Sequence, residues 1–159
     1  MSDELQLVRA APAILDSPSL PPDAVRFLVV AGLPRSCAPF LSFEAVARGP
    51  LALVQYYGAH QFRATDSSRL ASYYVLGSDG AGNPLCLDSA RNGEIVMLDH
   101  EDRFETRTFV ASSVATLAEA LLILHTFPHE DFVEHLRPCD PRAADDSAFL
   151  PAEVAMLFE

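Results

Sequence analysis

Residues 73–110 constrain the fold more than any other part of the chain, because they combine short apolar runs with closely spaced turn residues. Asn92-Gly93 is a strong hairpin signal between two of these runs. Strands that follow one another through short turns favour an antiparallel or mixed meander. The pattern predicts strands at 71–77, 84–88, 94–99 and 104–110.

Helical patterns flank this stretch on both sides. Before it, Pro22 and Gly32 predict the start and the stop of a helix over 22–31. After it, Ser113 predicts the N-cap of a long helix that Pro128 ends. Before the meander, the pattern also predicts a strand at 51–58 and leaves an ambiguous segment that a short strand at 61–64 would fit. After the long helix, it predicts a short helix at 129–136 with Phe132, Val133 and Leu136 inward, and then a polar linker at 140–149. A final turn or two is expected over 150–159, in which Val154, Leu157 and Phe158 dock.

Together these elements predict a single-domain α+β fold. Its central sheet is an antiparallel or mixed meander, and the helices pack at one face. We expect a weakly ordered lead-in over 1–21, the α+β domain over 22–137, and a C-terminal extension over 138–159 that packs on the domain.

The charge of the chain excludes several classes of partner. A formal net charge of -11 and the absence of any basic run oppose binding to nucleic acid or to anionic lipid, because both require clusters of Lys and Arg. The same charge favours a basic protein partner and a fast encounter with it. Acidity that serves only solubility is the simpler alternative.

The sequence predicts a cytoplasmic protein. Its N-terminus lacks the pattern of a signal peptide, and its apolar runs are too short to span a membrane. The odd number of cysteines, 3, favours free thiols in a reducing compartment. Cys86 lies in an apolar strand pattern and is expected to be a small core residue.

No catalytic set, metal site or cofactor site is predicted. The 77–84 loop lacks the Lys and the following helix of a phosphate-binding loop, and it has too few spaced acids for calcium. The cluster of His125, His129 and His135 lacks the HExxH order of a zinc site. Cys37 has no histidine near it in sequence, so an uncharacterised hydrolase is the least favoured alternative.

Three stretches of the chain carry a family resemblance: the early helix and its stop at 27–34, the glycine-rich strand-turn-strand at 76–88, and the strand at 93–101 followed by the strand end and helix entry at 109–113. Taken in order, they resemble the SUKH superfamily, in particular its bacterial immunity proteins. They fall within 22–126, and the tail from His129 onward is not part of the resemblance.

The resemblance implies an immunity protein without enzymatic activity. Such a protein would bind a cognate protein toxin, often a nuclease or a deaminase, and neutralise it by protein–protein contact. The alternative that the resemblance leaves open is an intracellular regulatory or scaffolding module of the same fold that binds a host protein. The sequence does not predict the oligomeric state.

Acidic and aromatic residues are the candidates for partner binding. Asp79 and Asp88 are more simply explained as residues that fix turns, whereas the acidic run that begins at Asp99 exceeds what a turn requires. In each Tyr-Tyr pair we expect one ring to point into the core and the other outward. The predicted partner-binding residues are Asp99, His100, Glu101, Asp102, Glu105, Tyr57 and Tyr74.

Overall fold

The computed structural model describes residues 6–37, 40–127 and 129–157 of the chain. A meander of four strands within residues 73–111 forms its centre. The strands are β1 Leu7–Val8, β2 Leu33–Pro34, β3 Ser36–Cys37, β4 Leu41–Ser42, β5 Leu51–Ala52, β6 Tyr73–Ser78, β7 Pro84–Asp88, β8 Glu94–Leu98 and β9 Arg107–Ala111.

Within the described residues these strands form two sheets. The larger has seven strands in the order β3-β4-β6-β7-β8-β9, and β5 also pairs with β6. Every pairing in it is antiparallel. The smaller sheet pairs β1 with β2, so that Val8 lies opposite Leu33.

Helices precede the meander and follow it. Pro22 occupies the first turn of the helix Pro22–Val30, and Gly32, with φ of 77°, ends that helix as predicted. Ser113 caps the helix Val114–Thr126 by accepting a hydrogen bond from the backbone N–H of Thr116, as predicted. The α-helices are α1 Pro22–Val30, α2 Leu53–Tyr57, α3 Ala64–Arg69, α4 Val114–Thr126, α5 Phe132–Leu136 and α6 Phe149–Met156, and short 3-10 helices cover Pro12–Asp16, Glu44–Arg48, Ala59–Gln61, Ser89–Arg91 and His129–Asp131.

Both faces of the meander are covered. Alternate residues of a strand point to opposite faces, so Leu85 and Leu87 join the main core while Cys86 joins a second, smaller one. The main core holds side chains of α1, α4, α5 and α6. The second core gathers around Leu53 of α2 and Leu70, which follows α3. The predicted α+β fold with a mostly antiparallel sheet is therefore confirmed, and Cys86 is a buried core residue as expected. The expected packing of helices at one face holds for α1, α4, α5 and α6, whereas α2 and the end of α3 cover the other face.

The predicted strand at 51–58 is wrong beyond Ala52. Only Leu51–Ala52 pairs with β6, and the chain then forms α2. Leu53 and Tyr57 lie four residues apart and contact the same second core, which is the spacing of one helical face. Short apolar runs fit a strand and a helix equally well, and here packing decides. The strand proposed at 61–64 is also wrong, because a 3-10 helix covers Ala59–Gln61 and α3 begins at Ala64.

The C-terminal part packs more closely than its polar composition suggests. Ala143 and Ala144, predicted to lie in a polar linker, are buried in the main core. Val154 docks as predicted, but the expected docking of Leu157 is wrong because 42% of this residue is exposed. Phe132 and Leu136 point inward, and Val133 packs against the same core. The predictions for Pro128 and Phe158 fall outside the described residues.

The two tyrosine pairs differ. Tyr56 is exposed and Tyr57 packs on the second core, as expected for one outward and one inward ring. Tyr73 and Tyr74 are both partly buried, against the second and the main core respectively. The expectation of an outward ring in this pair is wrong, because both faces of β6 are covered.

Candidate functional site

The loop between β8 and β9, residues 99–106, is shaped by its own carboxylates. Asp99 accepts a hydrogen bond from the backbone N–H of Glu101 at 2.8 Å. Asp102 accepts from the N–H groups of Glu105 and Thr106 at 2.9 and 3.0 Å, and also from the Thr106 hydroxyl. The Thr106 hydroxyl, followed by these two N–H groups and the positive charge of Arg69, lowers the pKa of the Asp102 carboxyl. These two acids are therefore structural parts of the loop.

Two consecutive residues of this loop have left-handed backbones. Arg103 and Phe104 both have φ of 64°, a conformation that costs free energy for residues other than glycine. Arg69 of α3 stabilises it, because its guanidinium donates to the carbonyl of Arg103 at 2.9 Å and to that of Phe104 at 3.0 Å. The Phe104 ring then packs on the second core. Contacts with α3 and with the second core therefore fix the conformation of the loop, in addition to its own carboxylates.

The loop is also tied to the glycine-rich turn between β6 and β7. Asp79 accepts hydrogen bonds from the N–H groups of Ala81 and Asn83, and from the side-chain amide of Asn83 at 3.0 Å. The Asn83 side-chain oxygen accepts from the backbone N–H of His100 at 3.0 Å and lies 2.7 Å from His100 Nδ1. Because this oxygen can only accept, Nδ1 carries a proton. The turn and the loop therefore form one connected surface.

An aromatic pocket opens beside this loop. The Tyr57 and Phe104 ring centroids are 5.2 Å apart, and those of Phe62 and Phe104 are 6.1 Å apart. The pocket has a volume of about 260 Å³ and is lined by Tyr57, Gln61, Phe62, Asp66, His100, Arg103 and Phe104. Burial is the main cause that raises the pKa of the Tyr57 hydroxyl to about 12, so this tyrosine is neutral at physiological pH.

Asp66 and Arg103 form an ion pair at the pocket. Asp66 lies 3.6 Å from the guanidinium of Arg103 and 3.6 Å from that of Arg69. The Asp66 side chain is 22% exposed, whereas that of Arg103 is 59% exposed. The pocket thus combines aromatic walls, one largely covered carboxylate and one accessible cation.

Six of the seven predicted partner-binding residues lie on or beside this pocket and loop: Asp99, His100, Glu101, Asp102, Glu105 and Tyr57. Glu101 and Glu105 are exposed, and within the described residues their carboxylates form no hydrogen bond or ion pair. Tyr74 is not part of this surface, because its ring packs on the main core across the sheet.

A family model described as SUKH-4 immunity protein matches residues 2–152. The chain belongs to the SUKH-4 immunity protein family. The resemblance to the SUKH superfamily is thereby confirmed, and the match continues past His129, through most of the tail that the sequence motifs left out. A search of curated proteins and a search of solved structures each found no match.

Two other acids of this SUKH-4 protein have structural roles. Asp79 fixes its own turn, as described above. Asp88 is only 2% exposed, accepts from the backbone N–H of Ala90 at 3.0 Å and pairs with Arg107 at 3.1 Å. Arg107 also pairs with the buried Glu94. The interpretation of Asp79 and Asp88 as residues that fix turns is confirmed.

Several residues of the pocket were not predicted from sequence. The sequence pattern places Asp66 and Arg69 in no element or site and places Phe104 in a strand. Their roles depend on contacts between α3 and a loop more than 30 residues later in the chain. No local pattern carries that signal.

The described residues contain no group of three or more His, Cys, Asp or Glu side chains placed to hold a metal ion. Over 6–37, 40–127 and 129–157, none of the helices is both long enough and apolar enough to cross a membrane.

Proposed function

We propose that this SUKH-4 protein is an immunity protein that binds a cognate protein toxin and neutralises it by contact, without catalysis. The family to which the chain belongs is the observation that carries the proposal. We expect the toxin to be a nuclease or a deaminase and the encounter to take place in the cytoplasm.

The 99–106 loop with its aromatic pocket is the proposed contact surface. Two features support it. The loop is fixed by Arg69 and by its own carboxylates, so little conformational entropy is lost when a partner binds. It also offers the combination typical of interface centres, aromatic rings in a pocket next to polar groups.

Charge supports a basic partner at this surface. The net charge of -11 attracts cationic proteins at long range, and nucleases that bind phosphate backbones are commonly basic where they do so. Glu101 and Glu105 are the exposed carboxylates of the loop that are not engaged in shaping it. They are therefore available to a partner.

Co-expression tests the function. Cells that produce a candidate toxin encoded beside this gene should survive when the wild-type chain is co-expressed. Glu101→Lys with Glu105→Lys should reduce survival at limiting expression. The matched control is Glu130→Lys with Glu134→Lys, which changes the net charge equally on exposed positions at or next to α5, a helix of the main core.

Two results would contradict the proposal at different levels. Unchanged killing with folded wild-type protein would argue against immunity toward that toxin and in favour of the regulatory alternative. Full protection by the loop variant together with loss of protection by the control variant would move the contact surface to the helical face.

A further inference from the structure

The size of the aromatic pocket restricts what it can hold. Its volume of about 260 Å³ lies below the roughly 300–1,000 Å³ that is typical of sites for small-molecule ligands. This volume accommodates one amino-acid side chain. Because the pocket lies beside the proposed toxin-binding loop, a side chain of the partner is the natural occupant.

The walls of the pocket favour a planar cation. Tyr57, Phe62 and Phe104 contribute three aromatic rings to its lining, beside the carboxylate of Asp66. Aromatic faces attract cations electrostatically, and a guanidinium can stack on them while its edge still donates hydrogen bonds. An arginine side chain satisfies both requirements.

The ion pair at the pocket shows where such a cation would bind. The guanidinium of Arg103 lies 3.6 Å from the Asp66 carboxylate and remains 59% exposed. Arg69, the other cation near Asp66, is held by two backbone carbonyls. Arg103 is therefore the partner of Asp66 that can move away, because exposed ion pairs contribute little free energy.

We propose that the pocket receives one arginine side chain of the toxin, which displaces Arg103 from Asp66. This inference rests on the proposed function and specifies the chemistry of its partner. The exposed Glu101 and Glu105 in the same loop, together with the net charge of -11, make the surface complementary to a basic protein. Arg103 occupies the cation position in the unbound chain and competes with the incoming arginine.

An acidic side chain that pairs with Arg103 is the competing occupant. The removal of Arg103 separates the two cases, because it removes a competitor for arginine but a partner for a carboxylate. Asn is the suitable replacement, since it is neutral and tolerates the left-handed backbone of this position better than most residues.

Blocked tripeptides with a central arginine, lysine or glutamate serve as probes that need no toxin. Each is titrated into the full chain while backbone amide signals are followed by NMR. We expect the arginine peptide to shift the amides of Gln61, Arg103 and Phe104 with a dissociation constant on the order of 10 mM. The lysine peptide should bind more weakly, and the glutamate peptide should not shift these amides.

Three variants test the assigned roles. Arg103→Asn should tighten arginine-peptide binding about two- to fivefold, because an exposed ion pair no longer competes. Asp66→Asn should abolish the shifts. Asp23→Asn, an exposed aspartate in the first turn of α1, is the matched control and should bind like wild type.

Tighter binding to Arg103→Asn supports the proposal. It is overturned if the glutamate peptide produces the shifts, if Arg103→Asn weakens the arginine peptide, or if that peptide acts elsewhere on the chain. Should Asp66→Asn fail to fold, the Arg103→Asn result alone decides. Because the peptide titrations contain no toxin, a negative result in them does not change the expected outcome of the survival assay. Loss of protection in the survival assay, with intact peptide binding, contradicts only the proposed function.

Discussion

Asp102 illustrates how a side chain that looks available for binding can be committed to structure. Its carboxylate accepts hydrogen bonds from Glu105 and Thr106, and the Thr106 hydroxyl, with these amides and Arg69, lowers its pKa. A carboxyl whose pKa is lowered on folding stabilises the native state above its unfolded pKa, which is about 3.9 for Asp. That contribution is lost as the pH falls through the lower folded value.

Asp102→Asn should therefore lower the melting temperature at pH 7, and the difference from wild type should shrink as the pH is reduced below about 4. Thermal unfolding followed by circular dichroism between pH 3 and pH 7 measures it. Glu101→Gln is the control and should leave the melting temperature at pH 7 nearly unchanged, because that carboxylate bonds to none of the described residues. A pH-independent effect of Asp102→Asn would contradict this account.

Gly77 is required by the close approach of two strands. A Cβ atom at this position would lie 2.1 Å from the Ser42 carbonyl oxygen and 3.0 Å from the Phe43 ring. Gly77→Ala should destabilise the chain by about 2–3 kcal/mol, because the backbone of β4 would have to move. Urea denaturation measures the change. Gly80→Ala is the matched control with an effect below about 1 kcal/mol, since its nearest contact is the Cβ of the exposed Phe40 at 3.0 Å and no carbonyl oxygen lies as close as at Gly77. Equal effects of the two variants would refute the explanation.

Individual residues were predictable where their partners are local. Asp79 and Asp88 could be assigned to turns because the groups that they bind lie within a few residues. Arg69 could not be assigned, because its partners are 34 and 35 residues away and are backbone carbonyls of a loop. A carbonyl exists at every position, so the sequence offers nothing that distinguishes the two that Arg69 binds.

The contrast between local and distant partners also explains which secondary-structure elements could be predicted from the sequence. Strands β6 to β8 were predicted to within two residues, because each is bounded by turn residues such as Asn92-Gly93, both with positive φ. The sequence pattern places residues 53–57 in a strand, because Val and Tyr favour strands. Residues 53–57 form a helix because Leu53 and Tyr57, on one helical face, pack against the second core, and the local sequence does not reveal that core.

The segment that follows α5 is anchored by a buried acid. Asp140 is 2% exposed and accepts from the Ser112 N–H at 2.6 Å, the Ser112 hydroxyl at 2.8 Å and the Ala143 N–H at 3.3 Å. It thereby joins the C-terminal extension to the junction of β9 and α4. We propose that the extension folds cooperatively with the rest of the domain.

Asp140→Ala should cost about 3 kcal/mol of stability, because charged hydrogen bonds are lost and buried donors stay unpaired. Urea denaturation followed by two probes, far-ultraviolet circular dichroism and tyrosine fluorescence, should show one coincident and earlier transition. Asp146→Ala is the matched control in the same segment and should change stability by less than about 0.5 kcal/mol. Separate transitions in the wild type would contradict cooperative folding of the extension.

At the scale of the whole protein, some acids are committed to the fold and others are left to solvent. Asp88 and Glu94 are buried and neutralised by Arg107 and Arg142, and Asp99 and Asp102 stabilise the 99–106 loop. The net charge of -11 is therefore expressed mainly by exposed carboxylates. Exposed charges act at a distance and are screened by salt, so their influence on a partner belongs to the encounter more than to the bound complex.

Association with a basic toxin should consequently be fast at low ionic strength and slow as salt is added. Glu101→Lys with Glu105→Lys should lower the association rate constant about tenfold at 10 mM salt, where charges act over roughly 30 Å, and much less at 150 mM. Glu130→Lys with Glu134→Lys carries the same charge change away from the loop and should have a smaller effect. Biolayer interferometry with immobilised toxin measures both rate constants. Equal slowing by the two variants would mean that only the total charge matters, and rates independent of salt would exclude electrostatic steering.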